Sequence, residues 1–227
     1  MTAIIERPTL EFDEPVGLGP RGTLIVLPGR GDSPGVYARF GARIAVDAYR
    51  VRVVHGPAEL ADTVAAAVGP VVLVGVDTGA IDALRAVQDD GIDAAAMVLV
   101  GLPSAGDRGP TEWEDEVTAR ASCPTQQARL RSGDLVEVGR LARPVEDDVV
   151  LATTRPILAL HGADDSISPL AQAKSRYAGA SNVRLLSVAD GRHDVLNSLN
   201  HRTVAASVVL FLETLRAETE LVKEVAL

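Results

Sequence analysis

The sequence predicts an α/β fold in which a mainly parallel sheet is covered by helices on both faces. Short, unbroken apolar runs recur along the 227 residues, segments of helical spacing separate them, and most runs end at a Gly, Pro or Asp turn. An unbroken apolar run suits a strand buried on both faces, and strands alternating with helices suit a parallel sheet.

Thr23-Leu24-Ile25-Val26-Leu27 is the first clear strand and ends at Pro28-Gly29-Arg30-Gly31. Ser33-Pro34 then reads as an N-cap and first helical position, opening a helix through Tyr37, Phe40, Ile44 and Ala45. Tyr49 to Val54 reads as a second strand, and an Ala-rich helix is expected from about Ala58 to Val68. Val71-Val72-Leu73-Val74-Gly75-Val76 is a strand that runs directly into Asp77-Thr78-Gly79-Ala80 and a helix through Ile81, Leu84 and Val87. Ala94 to Val100, Pro156 to Leu160 and Val183 to Val188 are further strands. A last helix begins near Asn200 and carries Val204, Val208, Leu212 and Leu215 on one face. Glu218 to Leu227 reads as its solvated end.

The rhythm breaks from about Ser104 to Ala152, where the chain is polar and charged. A structureless loop of that length is unusual, so a helical insertion lying over one end of the sheet as a lid is expected. The whole chain, 1–227, reads as one domain with 104–152 inserted in it.

Aromatic residues make up only 3% of the chain against 47% hydrophobic, so the core must be built of Ala, Val, Leu and Ile. The formal net charge of −9 argues against a nucleic-acid surface, which needs clustered Lys and Arg, and against an anionic membrane face. Cys123 is the single cysteine, which rules out an internal disulfide and suits a reducing compartment. Met1 to Pro8 lack a signal-peptide core, and no run approaches the roughly 20 apolar residues of a membrane span. A cytoplasmic protein is expected. No Cys or His group has zinc-ligand spacing. The Gly29-Arg30-Gly31 run after a strand is a poor dinucleotide fingerprint, because Pro34 stands where the third glycine belongs. No metal or other cofactor is therefore expected, and the expected partner is a small-molecule substrate. Oligomeric state leaves no signal in the sequence.

Three motifs stand in a telling order, each at the carboxyl end of an expected strand. They are Gly75-Val76-Asp77-Thr78-Gly79, then His161-Gly162-Ala163-Asp164-Asp165, then Gly191-Arg192-His193-Asp194. In open α/β sheets that edge is where ligands bind. From Thr23 to about Leu215 the chain resembles the α/β-hydrolase family, with Gly-x-Asp-x-Gly in place of the commoner Gly-x-Ser-x-Gly elbow. The resemblance implies a catalytic triad of Asp77 as nucleophile, His193 as base and Asp165 as acid. It also implies an oxyanion hole formed by the backbone N–H groups of Arg30 and Thr78.

Aspartate changes the chemistry. A carboxylate is already ionised at pH 7 and can displace a leaving group from saturated carbon, giving an ester that His193 and water then hydrolyse. The resemblance implies dehalogenase-like more than epoxide-hydrolase-like chemistry, since Tyr37, Tyr49 and Tyr177 all lie outside the expected lid. Thr78 stands where many aspartate relatives carry Trp. Trp113 falls in the lid, as a substrate contact or as lid packing.

Plainer readings stand beside these. Asp77 can cap the helix that begins at Thr78, worth roughly 1 kcal/mol. Paired with His193, it would raise the imidazole's pKa and leave a catalytically silent or ligand-binding relative. Asp164 competes with Asp165 for the acid position. Arg30 can bind a carboxylate or simply be solvated. His55, His161 and His201 read as structural or solvated.

Overall fold

The computed structural model describes residues 9–223. The readings of a missing leader in Met1 to Pro8 and of the last four residues lie outside the described residues.

Seven strands form one sheet: β1 (Leu10–Phe12), β2 (Gly22–Leu27), β3 (Tyr49–Val53), β4 (Val71–Val76), β5 (Ala96–Val100), β6 (Ile157–Gly162) and β7 (Val183–Val188). Their order is β1-β3-β2-β4-β5-β6-β7, with β1 antiparallel to β3 and every other pair parallel. The runs in β2, β4, β5 and β6 are buried at every position, as unbroken apolar sequence requires.

Because side chains alternate along a strand, the core divides into two layers. Leu24, Val26, Val72, Val74 and Val98 face Phe40 and Ile44 of α1 (Ala38–Ala45) and Val204, Val208 and Leu212 of α7 (His201–Ala217). Ile25, Leu27, Leu73, Met97 and Leu99 face the other way. They pack with α2 (Leu60–Ala65), α3 (Thr78–Gln88) and α6 (Leu170–Tyr177) through residues such as Leu60, Ile81, Leu84 and Tyr177. Full burial of each such side chain contributes about 1.5–3 kcal/mol.

Several boundaries differ from expectation. Ser33-Pro34 opens a 3₁₀ turn (Pro34–Tyr37) before α1, and Ser33 makes no side-chain cap. The Ala-rich segment is a 3₁₀ turn (Pro57–Glu59) followed by the short α2. The last helix stops at Ala217, where Glu218 turns left-handed at φ 52°, so residues 218–223 do not extend it.

The insertion is only partly helical. It holds α4 (Trp113–Arg120) and α5 (Pro124–Ser132), while residues 133–152 contain neither helix nor strand. Glu114, Asp115 and Glu116 in the first turn of α4 and Arg120 in its last complement the helix dipole. Pro124 at the start of α5 has no N–H to leave unsatisfied. The segment after α5 is pinned to the loop after β2: Ser33 N donates to Leu135 O at 2.8 Å and Glu137 N to Gly31 O at 2.7 Å. Among the described residues no helix is long and apolar enough to cross a membrane.

Candidate active site

β4 delivers Asp77 into a sharp turn before α3, with φ 51° and ψ −125°. A non-glycine residue rarely adopts such a backbone. Surrounding contacts hold it: Asp77 N donates to Val100 O and Ala80 N donates to Asp77 O, both at 2.9 Å. The turn works only because strand and helix pass without side chains at Gly75 and Gly79. A Cβ at Gly75 would overlap the backbone of Gly79 and Ala80, and one at Gly79 would overlap the carbonyl of Leu27.

His193 and Asp165 converge on this turn. His193 Nδ1 lies 2.9 Å from Asp165 Oδ2, and His193 Nε2 lies 3.1 Å from Asp77 Oδ1. The second contact is close but not aligned as a hydrogen bond. Asp165 Oδ1 accepts from the N–H groups of Ile167 (2.9 Å) and Ser168 (3.0 Å), which fixes the carboxylate. Asp164 is exposed, so Asp165 holds the acid's register. Gly101 leaves room for the imidazole, since a Cβ there would stand 2.9 Å from His193 O and 3.2 Å from the ring.

His161 was expected to be structural or solvated, and it is structural. It is buried, its Nε2 lies 2.6 Å from Ser168 O, and the same nitrogen lies 3.3 Å from Asp165 Oδ2. A carbonyl only accepts, so His161 Nε2 carries the proton.

Arg30 binds Asp77 more fully than the motif suggested. Its backbone N–H donates to Asp77 Oδ2 at 2.9 Å, its Nε to the same oxygen at 2.7 Å, and its Nη2 to Oδ1 at 2.9 Å. Its Nη1 donates to the carbonyls of Asp107 (2.9 Å) and Arg143 (2.6 Å), tying the insertion to the elbow. Of the two backbone N–H groups expected to form an oxyanion hole, that of Arg30 is already engaged by Asp77. The donors on Asp77 Oδ2 are the backbone and side chain of Arg30, and Thr78 is not among them.

The electrostatics follow from these contacts. Burial alone would raise the Asp77 carboxyl, but His193 and Arg30 outweigh it and hold the group well below the usual carboxylate range. Asp165 is likewise lowered against its burial, by His193 and His161. Burial would depress His193, yet Asp165 first and Asp77 second push it up to about 10. Its resting form at neutral pH is therefore the imidazolium.

Helix α4 meets the loop after β2 beside this cluster through charge. Arg120 of α4 lies 2.5 Å from Asp32 and 2.8 Å from Glu116, all three side chains being buried. Tyr37 donates its hydroxyl to Asp32 Oδ2 at 2.6 Å and accepts from Gly29 N. Above Asp77 and His193 there remains a cavity of about 10 Å³ walled by Asp32, Arg120, Gln126 and Leu141, room for one water. A larger groove of about 360 Å³ lies on the other side of Arg30 and Thr78. Trp113 is half-buried and lines neither space. Sequence reasoning also missed Asp32, Glu116, Arg120 and Gln126. Among the described residues no group of three or more His, Cys, Asp or Glu is arranged to hold a metal.

A monoacylglycerol lipase from Paleococcus ferrophilus superimposes with a TM-score of 0.70 at 11% identity, covering 92% of this chain and 98% of that one. The scaffold is the α/β-hydrolase fold. A monoglyceride lipase from Saccharomyces cerevisiae gives 0.73 at 14% identity, covering 91% of both chains. MenH from S. aureus gives 0.68 at 14%, covering 92% and 98%. Identities this low speak to the α/β-hydrolase fold and not to activity. No family model and no curated protein matches the sequence.

Proposed function

We propose that this chain is a small-molecule hydrolase that works through a covalent ester on Asp77. The observation that carries the reading is the convergence of Asp77, His193 and Asp165, within 3.1 Å and 2.9 Å, at a strained strand-to-helix turn. Backbone strain of this kind costs of order 1–3 kcal/mol and clusters at functional sites.

In the first step Asp77 Oδ1 bonds to an electrophilic saturated carbon, and the leaving group departs with the bonding pair, as a halide would. Esterification removes the charge on Asp77, so His193 loses one of the two carboxylates that hold it protonated. Its pKa falls, its proton is lost, and it can take a proton from water. The hydroxide adds to Cγ, and the alkoxide that forms at Oδ2 meets Arg30 N–H and Nε, a donor pair of the oxyanion-hole type. Collapse expels the product alkoxide with Oδ1. His193 returns the proton to it, and the water oxygen stays in Asp77. Dehalogenase-like chemistry suits the site better than epoxide opening, because the Tyr37 hydroxyl is already committed to Asp32. The single cysteine supports a cytoplasmic setting for this enzyme.

A second reading is favoured by a specific observation. The guanidinium of Arg30 grips both oxygens of Asp77, and the cavity above holds about 10 Å³. Those features suit a silent, ligand-binding relative in which the cluster is a structural ion pair. A single turnover in ¹⁸O-labelled water separates the two. The ester mechanism puts label into the peptide containing Asp77. Product formed without label there, or no product from haloalkanes and epoxides of varied size, contradicts it.

A further inference from the structure

The groove beside the elbow points to the kind of molecule the site receives. It is lined by Arg30, Arg85, Arg140, Arg143 and Thr78 with Asp82, Glu146 and Asp147, and its volume of about 360 Å³ suits a small ligand. Its charges are unequally answered. Arg30 is taken by Asp77, and Arg85 lies 3.3 Å from Asp147. Asp82 is half-buried, and burial raises its carboxyl pKa. Glu146 is exposed. Arg140 and Arg143 have no carboxylate within 4 Å and no side-chain hydrogen bond among the described residues.

The backbone that carries the two arginines is held in place. Arg140 N donates to Glu137 O at 3.2 Å, and its stem packs over Gly31, where a Cβ would meet Arg140 Cβ at 2.7 Å. Arg143 lends its carbonyl to Arg30 Nη1. One loop therefore carries two unanswered guanidinium groups and holds the residue that grips Asp77. A planar oxyanion matches a guanidinium fork through paired charge-assisted hydrogen bonds.

We propose that the groove binds a carboxylate or phosphoryl group on Arg140 and Arg143, and that the substrates are small anions rather than uncharged lipid esters. Arg30 lies between that group and Asp77, so a ligand oxyanion in the groove competes with Asp77 for its guanidinium and loosens the grip on the nucleophile. As a statement about substrates this rests on the ester mechanism. As a statement about binding it does not.

The test is equilibrium binding to the full chain, followed by calorimetry, with succinate and inorganic phosphate as separate probes. Succinamide and chloride at matched ionic strength serve as controls. Succinate or phosphate is expected to bind where the controls do not, and whichever binds identifies the group. The double variant R140Q/R143Q should weaken that binding at least tenfold, while R184Q, an exposed arginine outside this groove, leaves it unchanged. Circular dichroism confirms that each variant is folded. Binding no stronger than that of chloride, or unaltered in R140Q/R143Q, overturns the proposal. Labelling of Asp77 by ¹⁸O without anion binding would overturn the groove and leave the ester mechanism standing. Anion binding without label would do the reverse.

Discussion

His193 sits between two carboxylates, and this makes stability depend on pH in a definite direction. Its folded pKa of about 10 lies above the ordinary 6.5. The stabilisation it supplies is therefore complete below about pH 6.5 and is lost as pH rises through 10. The full effect is on the order of a few kcal/mol. Urea midpoints measured from pH 6 to 10 should fall for the wild type. Asp165→Asn removes the larger of the two carboxylate influences that raise the imidazole against its burial, so the slope should flatten in that variant; an unchanged slope would show that the cluster does not hold the proton. Asp77, Asp165 and His193 were all legible in the sequence, because each follows an apolar strand at the edge where such groups gather. The Arg30 side chain was not. Its backbone position follows from the loop, but nothing local says whether a long, flexible guanidinium turns to water or back onto Asp77.

Elements reach the site by close approach, and two of them can be tested. Gly79→Ala would push a Cβ into the Leu27 carbonyl. It should destabilise by roughly 1–3 kcal/mol as an overpacked contact and displace the elbow; denaturant unfolding measures the first effect. Glu116 of α4 is fully buried and accepts from Arg120 and from Gly139 N. Glu116→Ala should cost roughly 1–3 kcal/mol, because it leaves Gly139 N–H and part of the Arg120 guanidinium without a partner while Asp32 still answers the charge. Glu116→Gln should cost less, since its amide oxygen can still accept. The insertion was hard to read for the same reason. The inward face of α4 carries Glu116 and Arg120 beside Val117, so its burial is partly ionic and hydrophobic periodicity gives little sign of it. The irregular stretch after α5 is held by backbone bonds to the β2 loop, which no side-chain pattern encodes.

At the scale of the whole molecule, alternating strands and helices made the parallel sheet legible, and β2, β4, β5 and β6 are buried at every position as their unbroken apolar runs require. The edge was less legible. β1 is three residues long and pairs antiparallel with β3, too short for a period of two to register. The closed state of the site is also a property of the assembled molecule. Arg30, Arg120 and the loop from 133 to 145 meet only once the sheet has brought the loop after β2 beside the elbow. The central claim is that this assembled site forms an ester on Asp77 and uses His193 to remove it. Its most direct test is intact-mass and peptide mass spectrometry of His193→Ala incubated with short haloalkanes, some of them bearing a carboxylate. The expected result is an alkyl adduct on the peptide containing Asp77, absent from Asp77→Asn and not accumulating in the wild type. Wild-type turnover with no adduct in His193→Ala, or an adduct on a residue other than Asp77, would contradict it.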